Sequence, residues 1–157
     1  MKTEKDLDSP SRQVAGVIAK FDPAIAKLTR NCRSVLRKRY PSAIELVYDN
    51  YNALAIGYSP TERTSDVVFS LAVYARGVNL YFMYGRSLDD PDQLLQGSGT
   101  QGAFIRLPDA MTLDEPKVRK LIERAVKRQR PTFATNGRGY TVVKSISAKQ
   151  RPRRALN

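Results

Sequence analysis

Apolar and polar side chains alternate with a period of two through most of the chain between residues 44 and 107. On either side of Gly77, which marks a turn, every second residue is apolar over 65–76 and 78–84. Such alternation is typical of half-buried strands, so this segment predicts a β-hairpin. The predicted strands cover residues 44–48, 51–58, 65–76, 78–84 and 102–107.

Two segments with apolar residues at three- and four-residue spacing flank these strands and predict amphipathic helices. The first has Asp22 as its N-cap and Pro23 at its first position, and Tyr40-Pro41 ends it. The second opens at Pro116 and stops before Pro131. Both helices carry lysine and arginine on their outward side.

These elements predict an α+β fold with two layers, in which an antiparallel sheet of about five strands has the N- and C-terminal helices packed on one face. The length of 157 residues suits one domain. The predicted organisation is a flexible arm over residues 1–12, an α+β domain over 13–130 and a basic tail over 131–157. Asn136-Gly137 predicts a β-hairpin within that tail, and the segment after Ala148 is expected to lack fixed structure.

The alternation also predicts which side chains occupy the sheet face without helices. It assigns Leu54, Ile56, Val67, Phe69, Leu71, Leu80 and Phe82 to the helix-facing side. The opposite side then carries the small residues Ala53, Ala55, Gly57, Ser70 and Ala72. Small side chains beside aromatic ones form a depression with apolar walls, although tyrosines also occur on sheet faces that are simply solvated. The predicted ligand-binding residues are Tyr51, Tyr74, Tyr81, Phe104 and Arg106, with the arginine suited to a carboxylate or phosphate.

Charge is distributed unevenly along the chain. The net charge is +12, yet residues 40–115 carry four arginines against ten acids, and no acid follows Glu123. Basic termini of this kind attract polyanions, and without a base-reading motif they would contact only the nucleic-acid backbone. This alternative, non-specific nucleic-acid binding, assigns contacts to Lys144, Lys149, Arg151, Arg153 and Arg154. Solvated helix faces explain the charge on the helices equally well.

Several kinds of chemistry lack the side chains they need. The chain has no histidine and one cysteine, Cys32, which lies on the apolar stripe of the first helix. Histidine triads, zinc sites and internal disulfides are therefore excluded, and a reducing cytoplasmic location is expected. The Gly97 to Gly102 loop precedes a strand and lacks the helix that a phosphate loop needs. Asp89, Asp90 and Asp92 could offer oxygens to a hard cation, but their spacing is not that of a calcium-binding loop, and helix capping accounts for Asp90 and Asp92. We predict no catalytic residue, no metal site, no cofactor and no membrane segment.

The order of helix, four strands, Gly-rich loop, strand and helix resembles that of the YdhG-like family of domains of unknown function, over about residues 23–128. The resemblance is carried by Tyr48-Asp49-Asn50-Tyr51, by the hairpin from Phe69 to Phe82, by Gly102 to Leu107 and by the tail from Lys144 to Arg154. It implies a frataxin-like architecture and, as some members are regarded, an iron-chaperone role. The chain departs from the family at Gln101, where lysine is frequent, and in having no histidine to support iron binding.

We therefore expect a non-enzymatic binding module that holds a small ligand or a protein partner on the open sheet face. Non-specific nucleic-acid binding is the first alternative, and an iron-chaperone-like role is the second, by resemblance alone. An enzyme that uses tyrosine, arginine and carboxylates is a further alternative, but no paired acid and base stand at a fixed spacing.

Overall fold

A computed structural model describes residues 9–155, so most of the predicted arm, residues 1–8, and the last two residues of the tail lie outside the described part. Helix α1 covers Pro10–Ala19, α2 covers Pro23–Arg39 and α3 covers Pro116–Arg128. Each begins with proline in its first turn, where the missing N–H costs no hydrogen bond. Among the described residues, no helix combines the length and apolar composition that a membrane span requires.

The sheet contains six strands. They are β1 Ile44–Asp49, β2 Leu54–Ser59, β3 Phe69–Tyr74, β4 Gly77–Phe82, β5 Ala103–Leu107 and β6 Thr141–Ile146. Their order is β5-β4-β3-β2-β1-β6, and every neighbouring pair is antiparallel except β1 and β6, which are parallel. The α+β class and the β3–β4 hairpin are confirmed, whereas the predicted number of about five strands is corrected to six.

The sixth strand arises where the sequence predicts a hairpin. Gly137 adopts a positive φ of 87°, as its turn signal indicates, but residues 131–140 form no strand that could pair with β6. Instead β6 runs beside β1, with Val142 opposite Leu46. The predicted tail hairpin is therefore wrong, because the hydrogen-bonding edge of β1 takes the place of a local partner.

Buried apolar side chains from all three helices and from the sheet form one core. Helix α2 lies against β3 and β4, and α1 contacts both α2 and β6. Side-chain parity in β2 to β4 agrees with the prediction, since Leu54, Leu71 and Leu80 are fully buried in this core.

Val67 is the exception to the predicted parity. It is buried outside the main core, and its Cγ1 lies 3.0 Å from the place where a β-carbon on Gly57 would stand. Gly57 follows Ile56, which faces the core, so Val67 covers the opposite face of the sheet. The cause is that Val67 precedes β3 and belongs to a connection whose backbone no longer follows the strand alternation.

That connection, residues 60–68, covers part of the face that the prediction leaves open. The Tyr48 and Thr64 hydroxyls are hydrogen-bonded at 2.5 Å, which ties the loop to β1. Leu46 of β1 and Val67 of the connection itself are both buried. The uncovered part of the open face is therefore limited to β3, β4 and β5, together with Ala55 of β2.

Strand β1 carries two carboxylates on its core-facing side. The first, Glu45, accepts bonds from Arg33 Nε at 2.8 Å and Nη2 at 2.9 Å, from the Tyr58 hydroxyl at 2.9 Å and from the Thr141 hydroxyl at 2.7 Å. Burial would raise the pKa of Glu45, but the hydrogen bonds and the positive charge of Arg33 outweigh it, so the pKa is lowered. Glu45 thereby joins α2, β2 and β6 at one point.

The second carboxylate, Asp49, also links separate segments of the chain, at the other end of β1. Its oxygens accept bonds from Lys20 Nζ and from Arg153 Nη2, each at 2.8 Å, and its side chain is fully buried. Burial would raise the pKa of Asp49, yet bonds from Lys20, Gln150 and Arg153 lower it. Asp49 thus joins the end of α1 and the segment after β6 to the sheet.

The segment after Ala148 is therefore folded onto the domain as far as it is described, and the prediction that it lacks fixed structure is wrong for residues 149–155. Arg153 is only 7% exposed, and its guanidinium lies 5.6 Å from the centre of the Phe21 ring. The Arg151 guanidinium lies 5.7 Å from the centre of the Tyr51 ring. The run of basic residues predicts no fixed structure because the carboxylate that pairs with Arg153, Asp49, is distant in the sequence.

We predict that Asp49→Asn destabilises the protein strongly, because Arg153 would be left as a buried charge without its counterion. Losing one partner of a buried pair costs about 3–5 kcal/mol, and thermal unfolding should show this as a midpoint lower by roughly 2–4 °C per kcal/mol. Asp89→Asn is the matched control, since Asp89 is exposed and forms no ion pair with the described residues. Equal midpoints for the two variants would contradict the role of Asp49.

We also predict that stability falls in acid through Glu45 and Asp49. Their folded-state pKa values lie below those of the unfolded chain, so their contribution is complete above the ordinary values of 4.5 and 3.8 and is lost as the pH falls through the folded ones. Unfolding free energies from urea titrations should drop below about pH 4.5, and less steeply for Glu45→Gln. Glu123→Gln, on the exposed side of α3, should keep the full pH dependence.

Candidate anion-binding cleft

A cleft of about 520 Å³ lies between the C-terminal half of α2, the start of β1 and residues 138–141, which we call the strap. The strap crosses the entrance to β1 and ends at Thr141, the first residue of β6. The residues that line the cleft are Arg30, Arg33, Ser34, Arg37, Lys38, Tyr40, Pro41, Ala43, Glu45, Tyr58, Arg138, Gly139, Tyr140 and Thr141.

The lining is strongly cationic. Five of its side chains are basic, namely Arg30, Arg33, Arg37, Lys38 and Arg138, and Glu45 is the one acidic side chain among the lining residues. Arg33 is already engaged by Glu45. The other four basic side chains are exposed and form no hydrogen bond or ion pair with any described residue. Four free cations therefore surround a carboxylate that is already neutralised.

The ionisable groups at the base of the cleft keep their ordinary charges. Burial and the neighbouring Glu45 raise the pKa of Tyr58 well above its usual value, so its hydroxyl stays protonated. Burial lowers the pKa of Arg33, but the bond and charge of Glu45 outweigh this and raise it. The cleft thus presents fixed positive charge at neutral pH, with no group poised to exchange a proton.

The backbone of the strap approaches β1 so closely that one position must be glycine. A β-carbon on Gly139 would overlap the carbonyl group of Ala43. The Gly139 N–H donates to the Pro41 carbonyl at 2.8 Å, and the Glu45 N–H donates to the Tyr140 carbonyl at 2.8 Å. These contacts hold Arg138 at the side of the cleft opposite α2.

Part of this site is visible in the sequence and part is not. The basic outward side of α2 is evident from its helical spacing, which places Arg30, Arg37 and Lys38 there. Arg138 is distant in sequence, and its position depends on the parallel pairing of β6 with β1. Gly139 is the local signal closest to Arg138 in the sequence. A glycine can indicate that two backbone segments approach closely, but it does not identify the other segment.

The predicted ligand-binding residues of the open face are only partly brought together. Tyr81 is directly opposite Phe104 in the β4–β5 pair, and Arg106 lies two residues further along β5 on the same face. Tyr74 stands opposite Gly77, towards which the Arg106 guanidinium extends. Tyr51 lies apart from them, in the β1–β2 connection beneath Arg151.

The five basic residues assigned to nucleic-acid binding have different surroundings. Arg153 is buried against Asp49 and is unavailable to any ligand, which corrects its assignment. Lys144 donates to the Glu62 carbonyl at 3.1 Å, and Arg154 donates to the Lys20 carbonyl at 3.3 Å. The remaining two are exposed: Arg151, above the Tyr51 ring, and Lys149.

Two of the three acids considered for metal binding, Asp90 and Asp92, have partners within the fold, whereas Asp89 is exposed. Asp90 accepts hydrogen bonds from the backbone N–H groups of Leu94 and Leu95 at 3.0 and 2.9 Å, and Asp92 lies 3.8 Å from Lys117 Nζ. Within residues 9–155 no three histidine, cysteine, aspartate or glutamate side chains are grouped so that they could hold a metal ion. Cys32 is buried, and desolvation together with the charge of Asp109 raises the pKa of its thiol to about 12.

Comparisons with known proteins add no assignment. No family model, no curated protein and no solved structure matches this chain.

Proposed function

We propose that this chain is a non-enzymatic binding module whose cationic cleft holds an anionic ligand with two or more negative charges, of which a phosphate-bearing small molecule is the best fit. Arginine suits such a ligand because its planar guanidinium donates two parallel hydrogen bonds to a phosphate or carboxylate. The cleft volume of about 520 Å³ lies within the range of small-molecule sites, which is about 300–1,000 Å³.

The observation that carries this proposal is the convergence of unpaired cations. Arg30, Arg37 and Lys38 come from α2 and Arg138 from the strap, so positive charge faces the cleft from two sides. Charges of one sign that line a concave surface reinforce one another and raise the local concentration of a counter-ion. A solvated helix face alone accounts for the residues of α2, but not for Arg138 on the opposite wall.

Binding rather than catalysis is supported by the states of the ionisable groups. Glu45 has a lowered pKa and four hydrogen bonds, so it is a poor base. Tyr58 has a raised pKa and is a poor acid. General acid–base catalysis needs groups with pKa values near the working pH, and these two are shifted away from it.

The open-face hypothesis remains a second candidate, in which a small ligand or a protein partner contacts Tyr81, Phe104 and Arg106. The adjacency of these side chains favours it. The cleft is preferred because the connection of residues 60–68 already fills part of the predicted depression, where Val67 covers Gly57. No grouping of acidic residues within the described chain supports the iron-chaperone alternative.

We predict that Arg37→Gln and Arg138→Gln each weaken the binding of pyrophosphate at low ionic strength. Hydrogen bonds to charged groups contribute about 1.5–3 kcal/mol, so each loss should raise the dissociation constant roughly tenfold or more. Isothermal titration calorimetry measures this, with thermal unfolding to show that the variants are folded. Lys120→Gln, on the exposed side of α3, removes the same charge outside the cleft and should leave binding close to that of the unchanged protein.

Three results would contradict the cleft as the site. They are the absence of pyrophosphate binding in the unchanged protein, normal binding by both arginine variants, and an equal loss in Lys120→Gln. The last result would show that net charge alone attracts the anion.

We further predict that Gly139→Ala disrupts the cleft by pushing the strap away from the Ala43 carbonyl. The added β-carbon meets backbone, which cannot yield as a flexible side chain does. Pyrophosphate affinity should fall, and thermal stability with it, because the bond from the Glu45 N–H to the Tyr140 carbonyl is strained. Gly16→Ala is the matched control: Gly16 lies in α1 with open space around it, where alanine favours the helix by about 1 kcal/mol.

A further inference from the structure

The uncovered part of the open face carries two aromatic rings held in place by glycine backbone. A β-carbon on Gly102 would overlap the hydroxyl and ring of Tyr81, so this ring lies directly against the Gly102 backbone. The Phe104 Cε1 atom lies 3.2 Å from the place where a β-carbon on Gly97 would stand, and Gly97 has a positive φ of 117°. The Gly-rich loop of residues 97–102 thus supports two rings.

The two rings are neighbours and remain accessible. Tyr81 and Phe104 occupy directly opposite positions on β4 and β5, where β-carbons stand about 4.5–5.5 Å apart. Tyr81 is 36% exposed, and Phe104 is half-buried. Because backbone fixes the rings from one side, little side-chain freedom is lost when a planar group stacks on the other side.

Guanidinium groups stand at both ends of this ring pair. Arg86 Nη2 lies 3.7 Å from the β-carbon position of Gly97, beside Phe104, and Arg86 Nε donates to the Gly99 carbonyl at 2.8 Å. At the other end Arg106 is exposed and forms no hydrogen bond or ion pair with the described residues. Arg86 and Arg106 are two of the four arginines in the acidic middle of the chain. We call Arg86, Phe104, Tyr81 and Arg106 the aromatic strip.

The surroundings of the aromatic strip carry no opposing charge on the strands. The residues of β3, β4 and β5 that face this side are Ser70, Ala72, Tyr74, Gly77, Asn79, Tyr81, Phe104 and Arg106, and none of them is acidic. A cationic surface interleaved with aromatic rings complements a chain of phosphates whose bases are free to stack.

We infer that the aromatic strip binds single-stranded nucleic acid, with bases stacked on Tyr81 and Phe104 and phosphates contacted by Arg86 and Arg106. A single strand fits better than a duplex because the bases of a duplex are stacked on one another and cannot reach side chains on a sheet face. Stacking accepts every base, so this binding is sequence-tolerant. It does not depend on the cleft, whose residues lie on α2, β1 and the strap.

The test uses fluorescence anisotropy with a fluorescein-labelled twelve-nucleotide oligothymidylate and, for comparison, a duplex of the same length. We expect the unchanged protein to bind the single strand more tightly than the duplex. Tyr81→Leu should weaken single-strand binding by about 5- to 150-fold, from the usual contribution of one stacked base, with an unchanged salt dependence.

Arg106→Gln supplies an independent readout. It should lower the slope of log affinity against log salt by about 0.7, the value for one lost contact to a single strand. Arg106 is exposed, so this variant keeps the test decisive if Tyr81→Leu fails to fold. Lys120→Gln is the matched control, because it removes one exposed positive charge that lies outside both the cleft and the aromatic strip, and it should leave the affinity within about twofold of the unchanged protein, as independent sites predict.

The inference is overturned if Tyr81→Leu folds and binds the oligonucleotide as the unchanged protein does, or if the duplex binds as tightly as the single strand. It is also overturned if Lys120→Gln and Arg106→Gln reduce binding equally, because net charge would then explain the affinity. The pyrophosphate experiment tests Arg37 and Arg138, whereas this experiment tests Tyr81 and Arg106. The failure of one proposal therefore does not contradict the other.

Discussion

The two carboxylates on the core-facing side of β1 are the constraint on which the rest of this structure depends. A strand at that place would ordinarily bury apolar side chains, and Glu45 and Asp49 instead bring charge into the interior. A buried charge is tolerated only when counterions and hydrogen bonds replace the water it loses. Each carboxylate therefore needs partners from elsewhere in the chain, and α1, α2, β2 and the C-terminal segment provide them.

The cleft is a consequence of the partners of Glu45. Arg33 must turn inward to meet this carboxylate, while its neighbours on α2 remain directed to solvent. The Thr141 hydroxyl donates a hydrogen bond to the same carboxylate, and this bond holds the strap across the start of β1. The fold thus neutralises its own buried acid with one arginine and leaves the other basic groups around the cavity unpaired. The arginine that stabilises the fold, Arg33, therefore lies next to basic side chains that are free to bind a ligand.

Local periodicity accounts for the elements that could be predicted. The alternation that defines β3 and β4, and the proline signals that open α2 and α3, depend on neighbours in the sequence, and the structure agrees with them. The placement of β6 could not be predicted in this way, because it is determined by Glu45 with Thr141 and by Asp49 with Arg153. The sequence does not reveal the cleft for the same reason, whereas the adjacency of Tyr81 and Phe104 results from side-chain parity and the antiparallel pairing of β4 with β5.

The parallel pairing of β6 with β1 also constrains the order in which the molecule can form. Glu45 and Thr141 are separated by 96 positions, so this contact closes a very long loop. Contacts of such high sequence separation form slowly and late, after the antiparallel hairpins that connect neighbouring strands. During synthesis, one edge of β1 would therefore stay unpaired until residues 141–153 are made. Until then Glu45 and Asp49 would lack their partners Thr141 and Arg153. Pairing of β6 with β1 would then involve electrostatic as well as hydrophobic contacts, and it would complete both the strap wall of the cleft and the buried site of Arg153.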